Sequence, residues 1–166
     1  MTKRVLVTGA TGFIGANLLE YLKGQDMVVY RGVRQLSANS DEFDLLCDLT
    51  DLSSISAISE NHSFNVIVHL ASAIGWNGQS YEDMFVSNIL ATGALGHIAS
   101  QMGSAFIFSS AALVHGKSSV SINELSQINL DTEYARTKYE AELLLKSILP
   151  EACILRIGGV FGYDGP

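Results

Sequence analysis

Thr8-Gly9-Ala10-Thr11-Gly12-Phe13-Ile14-Gly15 decides how this chain folds. The apolar run Val5-Leu6-Val7 leads into it, and a helical pattern from Ala16 to Lys23 follows, with Gly24 as its stop. A strand, a glycine-rich turn and a helix thus succeed one another at the start of the chain. In such a turn one glycine allows the reversal. A second lets the backbone approach a pyrophosphate, and a third lets helix and strand pack closely. The N-terminus of the helix offers free N–H groups and a positive dipole end to phosphate. Directly after a first strand, this is where a dinucleotide fingerprint stands.

The rest of the chain repeats the alternation. Met27 to Gly32 reads as a second strand, Ser37 to Glu42 as a loop, and Phe43 to Leu46 as a short third strand. Asp51 to Glu60 has helical spacing through Leu52, Ile55 and Ile58, and Val66 to Leu70 is a buried strand. A polar loop, Ser72 to Ser80, carries Trp76 and Asn77, which are expected in one wall of a substrate site or simply packed. Tyr81 to Met102 reads as a long helix, Ala105 to Phe108 as a strand, and Ser109 to Gly116 as a small polar stretch. Thr132 to Leu149 is helical, and Ala152 to Ile157 is a last strand. Strands that alternate with helices predict an α/β fold, a doubly wound parallel sheet of the Rossmann kind with helices on both faces. No repeat or linker interrupts it, so residues 1–166 are expected to form one domain.

Composition agrees. Hydrophobic residues make up 48% and charged residues 16%, which suits parallel strands buried on both faces and excludes disorder. The net charge of −7 comes with no basic stripe, so no nucleic-acid partner is expected. No apolar run reaches about 18 residues, so no membrane span is expected. The cysteines, Cys47 and Cys153, are far apart, and no leader pattern precedes the first strand. Both read as buried small hydrophobes of a reduced, cytoplasmic protein. His62, His69 and His97 have no metal-ligand spacing, so no metal is expected, and His69 is expected to be buried.

Several motifs in order carry a resemblance. The spacing Gly9, Gly12, Gly15 with Phe13-Ile14 resembles the extended short-chain dehydrogenase/reductases, a group that includes NAD-dependent epimerases and dehydratases and dihydroflavonol-reductase-like enzymes. Cys47-Asp48-Leu49-Thr50-Asp51 resembles their acidic turn against adenine, and Val68-His69-Leu70-Ala71-Ser72 their strand end against adenosine and ribose. Asn88-Ile89-Leu90-Ala91-Thr92 is similar to their helical Asn-x-x-Gly-Thr, with Ala91 in place of glycine. Phe108-Ser109-Ser110, Val114-His115-Gly116 and the run from Leu155 to Gly162 match further segments. The resemblance implies a cofactor site of Gly9, Thr11, Gly12, Phe13, Ile14, Gly15, Asp48, Leu49, Leu70, Ala71, Ser72, Lys138 and Ile157. It also implies pairing of two copies through the 81–102 and 132–149 helices. Such proteins carry a C-terminal substrate domain that is expected to be absent from this chain.

The cofactor is expected to be NADP, with NAD as the alternative. No acidic residue follows the second strand before Asp41, and Arg31 and Arg34 stand there instead. Arginine suits a 2′-phosphate by charge and fork geometry. Arg34 is the expected clamp; the other reading makes both arginines solvated loop charges. Tyr134 and Lys138 lie four residues apart on one face of the last helix. A nearby ammonium favours tyrosinate, so Tyr134 becomes an acid/base and Lys138 its activator. The Ser or Thr that completes this site in the family corresponds to Ala111, which has no hydroxyl; the neighbouring Ser110 is the candidate substitute. His115 reads as a satisfied structural histidine. The expected function is hydride transfer on a nucleotide sugar or a small carbonyl or alcohol compound. The alternative is a cofactor-binding or sensing module without turnover, which Ala111 and the early end favour.

Overall fold

The computed structural model describes residues 2–75, 78–117, 121–162 and 165. Trp76 and Asn77 lie outside the described residues. Runs of β-branched and aliphatic side chains form one parallel sheet. Its strands are β1 (Lys3–Thr8), β2 (Met27–Val33), β3 (Asp44–Leu46), β4 (Val66–His69), β5 (Ala105–Ala111) and β6 (Cys153–Ile157), in the order β3-β2-β1-β4-β5-β6. Val5 pairs with Val29 on one side and with Val66 on the other. The strand order reverses at β1 and β4. In an open parallel sheet that reversal leaves a crevice beyond the carboxyl ends of the strands.

Helices cover both faces. On one, Leu18 and Leu19 of α1 (Phe13–Leu22) pack on Val5, Val7 and Val68. On the other, α2 (Leu52–Asn61), α4 (Ala91–Met102) and α5 (Glu133–Ile148) bury Ile55, Leu95 and Leu145 against Leu6, Ile67 and Phe108. Gly93 and Gly96 bring α4 close to α5: a Cβ on either would sit 2.8 Å from Leu144 Cδ2 or 2.9 Å from Leu145 Cδ1. Among the described residues no helix is long and apolar enough to cross a membrane.

Four expectations need revision. α1 begins at Phe13, not Ala16, because Gly15 belongs to its first turn. β5 runs on to Ala111. Ser109, Ser110 and Ala111 read as loop by their small polar character, but β6 supplies ladder partners in Leu155, Arg156 and Ile157. The stretch 81–102 is interrupted: α3 (Tyr81–Met84), capped reciprocally by Ser80 and Asp83, passes into a π-helical segment, Phe85–Leu90, before α4. Finally, Cys47 is buried as expected but Cys153 is exposed. It opens the edge strand β6, on the sheet face that carries Leu155, itself 45% exposed.

Candidate functional site

Glycines shape the turn after β1. Gly9 has φ +70°, and a Cβ there would lie 2.6 Å from the Ala71 nitrogen, so the β1 turn and the segment after β4 touch through backbone alone. A Cβ on Gly15 would strike the Gly9 carbonyl. Gly12 is the N-cap of α1, with no side-chain cap and no acidic residue in the first turn. The first N–H groups of α1 therefore remain available to an anion at the crevice.

Two cavities flank this turn. The larger, 1030 Å³, runs past Thr8, Gly9, Thr11, Arg34, Asp48, Leu49, Ala71 and Ser72. The smaller, 510 Å³, is lined by Ile14, Leu70, Ser72, Ser110, Ala111, Tyr134 and Ile157, with the apolar Leu113, Ile122 and Val160. Ser72 lines both. Twelve of the sixteen sequence candidates thus line these two cavities, and four do not. Gly12 and Gly15 act through the backbone shape of the turn. Phe13 turns its ring toward Gly162 and Gly165, leaving only its amide at the helix start. Lys138 lines neither cavity.

The two arginines after β2 part company. Arg31 is bound by Asp44 and Asp41, each at 2.7 Å. The Phe43 backbone N–H and Arg31 together hold the Asp41 carboxyl below its ordinary range. Arg34 lines the larger cavity, and among the described residues no carboxylate pairs with it. The Asp48 carboxylate accepts from the Thr50 N–H at 2.9 Å and hydroxyl at 2.8 Å, which fixes the turn at the far wall.

Tyr134 and Lys138, expected as a pair, stand in different surroundings: Tyr134 lines the smaller cavity and Lys138 lies over Phe108. Burial pushes the Tyr134 phenol up from 10.0, and the opposing pull comes from the adjacent Ser72 side chain, not from an ammonium. Lys138 is buried, with its Nζ 4.2 Å from the centre of the Phe108 ring. Desolvation lowers its pKa from 10.5 to about 7, with Glu142 pulling back. Spacing of four residues puts two side chains on one helix face but does not fix where a long stem ends. The Ser110 hydroxyl, in the wall of the smaller cavity, donates to the Glu142 carboxylate. Glu142 also accepts from Arg156, whose Nη2 lies at 2.7 Å, and Arg156 Nη1 donates to His115 Nε2 at 3.1 Å. His115 Nδ1–H then donates to the Gln127 carbonyl at 3.0 Å, so this histidine is satisfied and structural, as expected.

Behind the cavities lies a buried polar net. His69 Nδ1 is 2.6 Å from Thr8 Oγ1, and Nε2 is 3.0 Å from Thr92 Oγ1. Thr92 donates its own hydroxyl to the Asn88 carbonyl at 2.6 Å, which assigns the ring proton to Nε2. Burial, with Lys138 nearby, lowers the His69 pKa to about 3 and keeps it neutral. Asn88, fully buried in the π-helical segment, belongs to a motif of the resemblance but was given no role in the site. Its Oδ1 accepts from the Ala73 N–H at 2.8 Å, and its Nδ2 donates to the Ala73 carbonyl at 2.8 Å and to Thr137 Oγ1 at 3.0 Å. Thr137 in turn donates to the Tyr134 carbonyl at 2.9 Å. One side chain thereby ties the wall carrying Ser72 to the helix carrying Tyr134. The hint in sequence was the likeness of Asn88-Ile89-Leu90-Ala91-Thr92 to the family's helical Asn-x-x-Gly-Thr.

The sequence and the fold are similar to those of known proteins. The model of the NAD dependent epimerase/dehydratase family matches residues 5–165. The chain is similar to the UDP-glucose 4-epimerase of Pongo abelii, 30% identical over 138 residues that cover 70% of this chain and 39% of that protein. It thus spans well under half the length of that relative. Among solved structures, a UDP-Glc/GlcNAc 4-epimerase from Campylobacter jejuni is 26% identical with TM-score 0.78, covering 92% of this chain and 52% of the other. A dTDP-4-dehydrorhamnose reductase from Bacillus anthracis, solved in complex with NADP, shares the fold at 21% identity and TM-score 0.81, over 95% of this chain and 54% of the other. The chain belongs to the NAD dependent epimerase/dehydratase family.

Proposed function

We propose that this chain holds a nicotinamide dinucleotide, NADP in preference to NAD, across the carboxyl ends of β1, β2, β4 and β5. The observation that carries this is the 1030 Å³ cavity that extends from Arg34, which no carboxylate pairs among the described residues, past the Gly9 turn to Ser72, where the cavity of Tyr134 begins. The residues fit the cofactor. The Gly9 approach leaves no room for a side chain, the uncapped α1 suits a pyrophosphate, and Arg34 suits a 2′-phosphate. Calorimetric titration of the chain with NADP and with NAD tests it. NADP is expected to bind more tightly, and Arg34→Ala to lower its affinity about ten- to a hundredfold while sparing NAD, the worth of one charge-assisted contact. Equal affinities for the two cofactors would sink the assignment.

On this reading Tyr134 is the acid/base of an oxidoreductase or epimerase reaction on a nucleotide sugar or a small carbonyl or alcohol compound. A nicotinamide bound here supplies or takes up hydride. Tyr134 holds and exchanges the proton at its phenol oxygen, in an apolar cavity that limits water. Lys138 joins it only by rotating its side chain away from Phe108. In any longer form of the protein that shows turnover, Tyr134→Phe is expected to abolish turnover and keep cofactor binding. A second reading, a binding or sensing module without turnover, is favoured by Ala111, which presents a methyl to the cavity, and by the turned-away Lys138. Pairing of two copies through α3–α4 and α5 is compatible with either.

A further inference from the structure

We propose that Ser72 is the positioning residue of Tyr134, its hydroxyl holding the phenol for proton exchange with a bound carbonyl or alcohol; this rests on the acid/base reading of Tyr134. Three serines line the 510 Å³ cavity with the phenol. Ser109 donates its hydroxyl to the His69 carbonyl at 3.1 Å, and Ser110 donates to Glu142. Both are committed to the protein. Ala111, on the same wall, has none to give. Ser72 is the remaining hydroxyl, and it lines the same cavity as the Tyr134 phenol.

Its location is fixed from both sides. Asn88 clamps the N–H and the carbonyl of Ala73, each at 2.8 Å. Thr8 Oγ1 accepts from the Ala71 N–H at 3.4 Å. Ser72 is thus held between two anchored neighbours, at the junction of the two cavities. No charged side chain lines the Tyr134 cavity among the described residues. On its own helix, Glu133 and Arg136 are exposed, and Lys138 lies over Phe108. Burial disfavours the phenolate, and Ser72 opposes that effect. A hydroxyl donated to a phenolate oxygen favours the charged form.

The test is a titration of Tyr134 in the chain without cofactor, by ultraviolet difference spectroscopy, with Tyr134→Phe identifying its component and circular dichroism following the folded state. Ser72→Ala is expected to raise the Tyr134 midpoint by about one pH unit, the worth of a hydrogen bond to a charged group. Ser72→Thr, which keeps the hydroxyl, is expected to restore it. An unchanged midpoint in Ser72→Ala overturns the proposal. So does a rise that Ser72→Thr fails to reverse, since that would be an effect of packing. If the parent chain binds neither NADP nor NAD, the cofactor reading alone fails, because the titration is read without either.

Discussion

Asn88→Ala should cost the fold about 3 kcal/mol, although the residue lies outside both cavities. Asn88 is fully buried. Its amide satisfies both backbone groups of Ala73, at 2.8 Å each, and donates to Thr137 at 3.0 Å. Alanine leaves the Ala73 N–H and C=O without partners in a buried segment. An orphaned buried polar group costs about 1–3 kcal/mol, so two cost about 2–6 kcal/mol. Thr137 keeps its own donor bond to the Tyr134 carbonyl and adds little. A water entering the vacated polar space recovers part, which brings the expectation near 3 kcal/mol. For a domain of this size that lowers Tm by about 6–12 °C. Urea unfolding is the assay: the midpoint should fall at unchanged m. His97→Ala, at an exposed position on α4, is the control and should stay within about 0.5 kcal/mol. A loss below about 1 kcal/mol for Asn88→Ala would refute the clamp. The segment carrying Ser72 depends on it, so dinucleotide affinity should fall along with stability.

Two further outcomes follow from the same geometry. Gly9→Ala places a Cβ 2.6 Å from the Ala71 nitrogen at φ +70°; it should abolish dinucleotide binding, and an affinity equal to the parent's in calorimetry would contradict the close approach. Lys138 titrates at about 7 in the fold against 10.5 ordinarily. Between those values the unfolded chain binds a proton that the folded chain does not, so the contribution of Lys138 to stability rises with pH across that window. Lys138→Met should flatten the rise in a series of urea midpoints, and identical pH profiles for the two proteins would show that the amine is not buried.

Much of the fold was legible in local pattern. Val5-Leu6-Val7, Val66-Ile67-Val68 and the glycines at 9, 12 and 15 announce strand and turn by side-chain type at short range, and the alternation of elements allows few topologies. The cofactor edge was legible for the same reason, because a tight turn needs its glycines in sequence. The end of β5 was not: Ser109 to Ala111 become strand only because β6, far along the chain, pairs with them. The exposure of Cys153 likewise reflects a sheet edge, which no window of residues reveals.

Sequence alone determined the order of elements, the doubly wound sheet and the residues gathered along its carboxyl edge. Tertiary structure decided which of those residues are free to act. Arg31 and Arg34 read alike until Asp44, 13 residues from Arg31, neutralises one of them. Ser110 reads as the hydroxyl that stands in for Ala111 until Glu142, 32 residues beyond it, takes that hydroxyl. Lys138 reads as the neighbour of Tyr134 until its flexible stem ends over Phe108. Helical and strand periods are set by the backbone within a few residues, whereas the direction of a polar side chain is set by whichever partner the fold brings within about 3 Å.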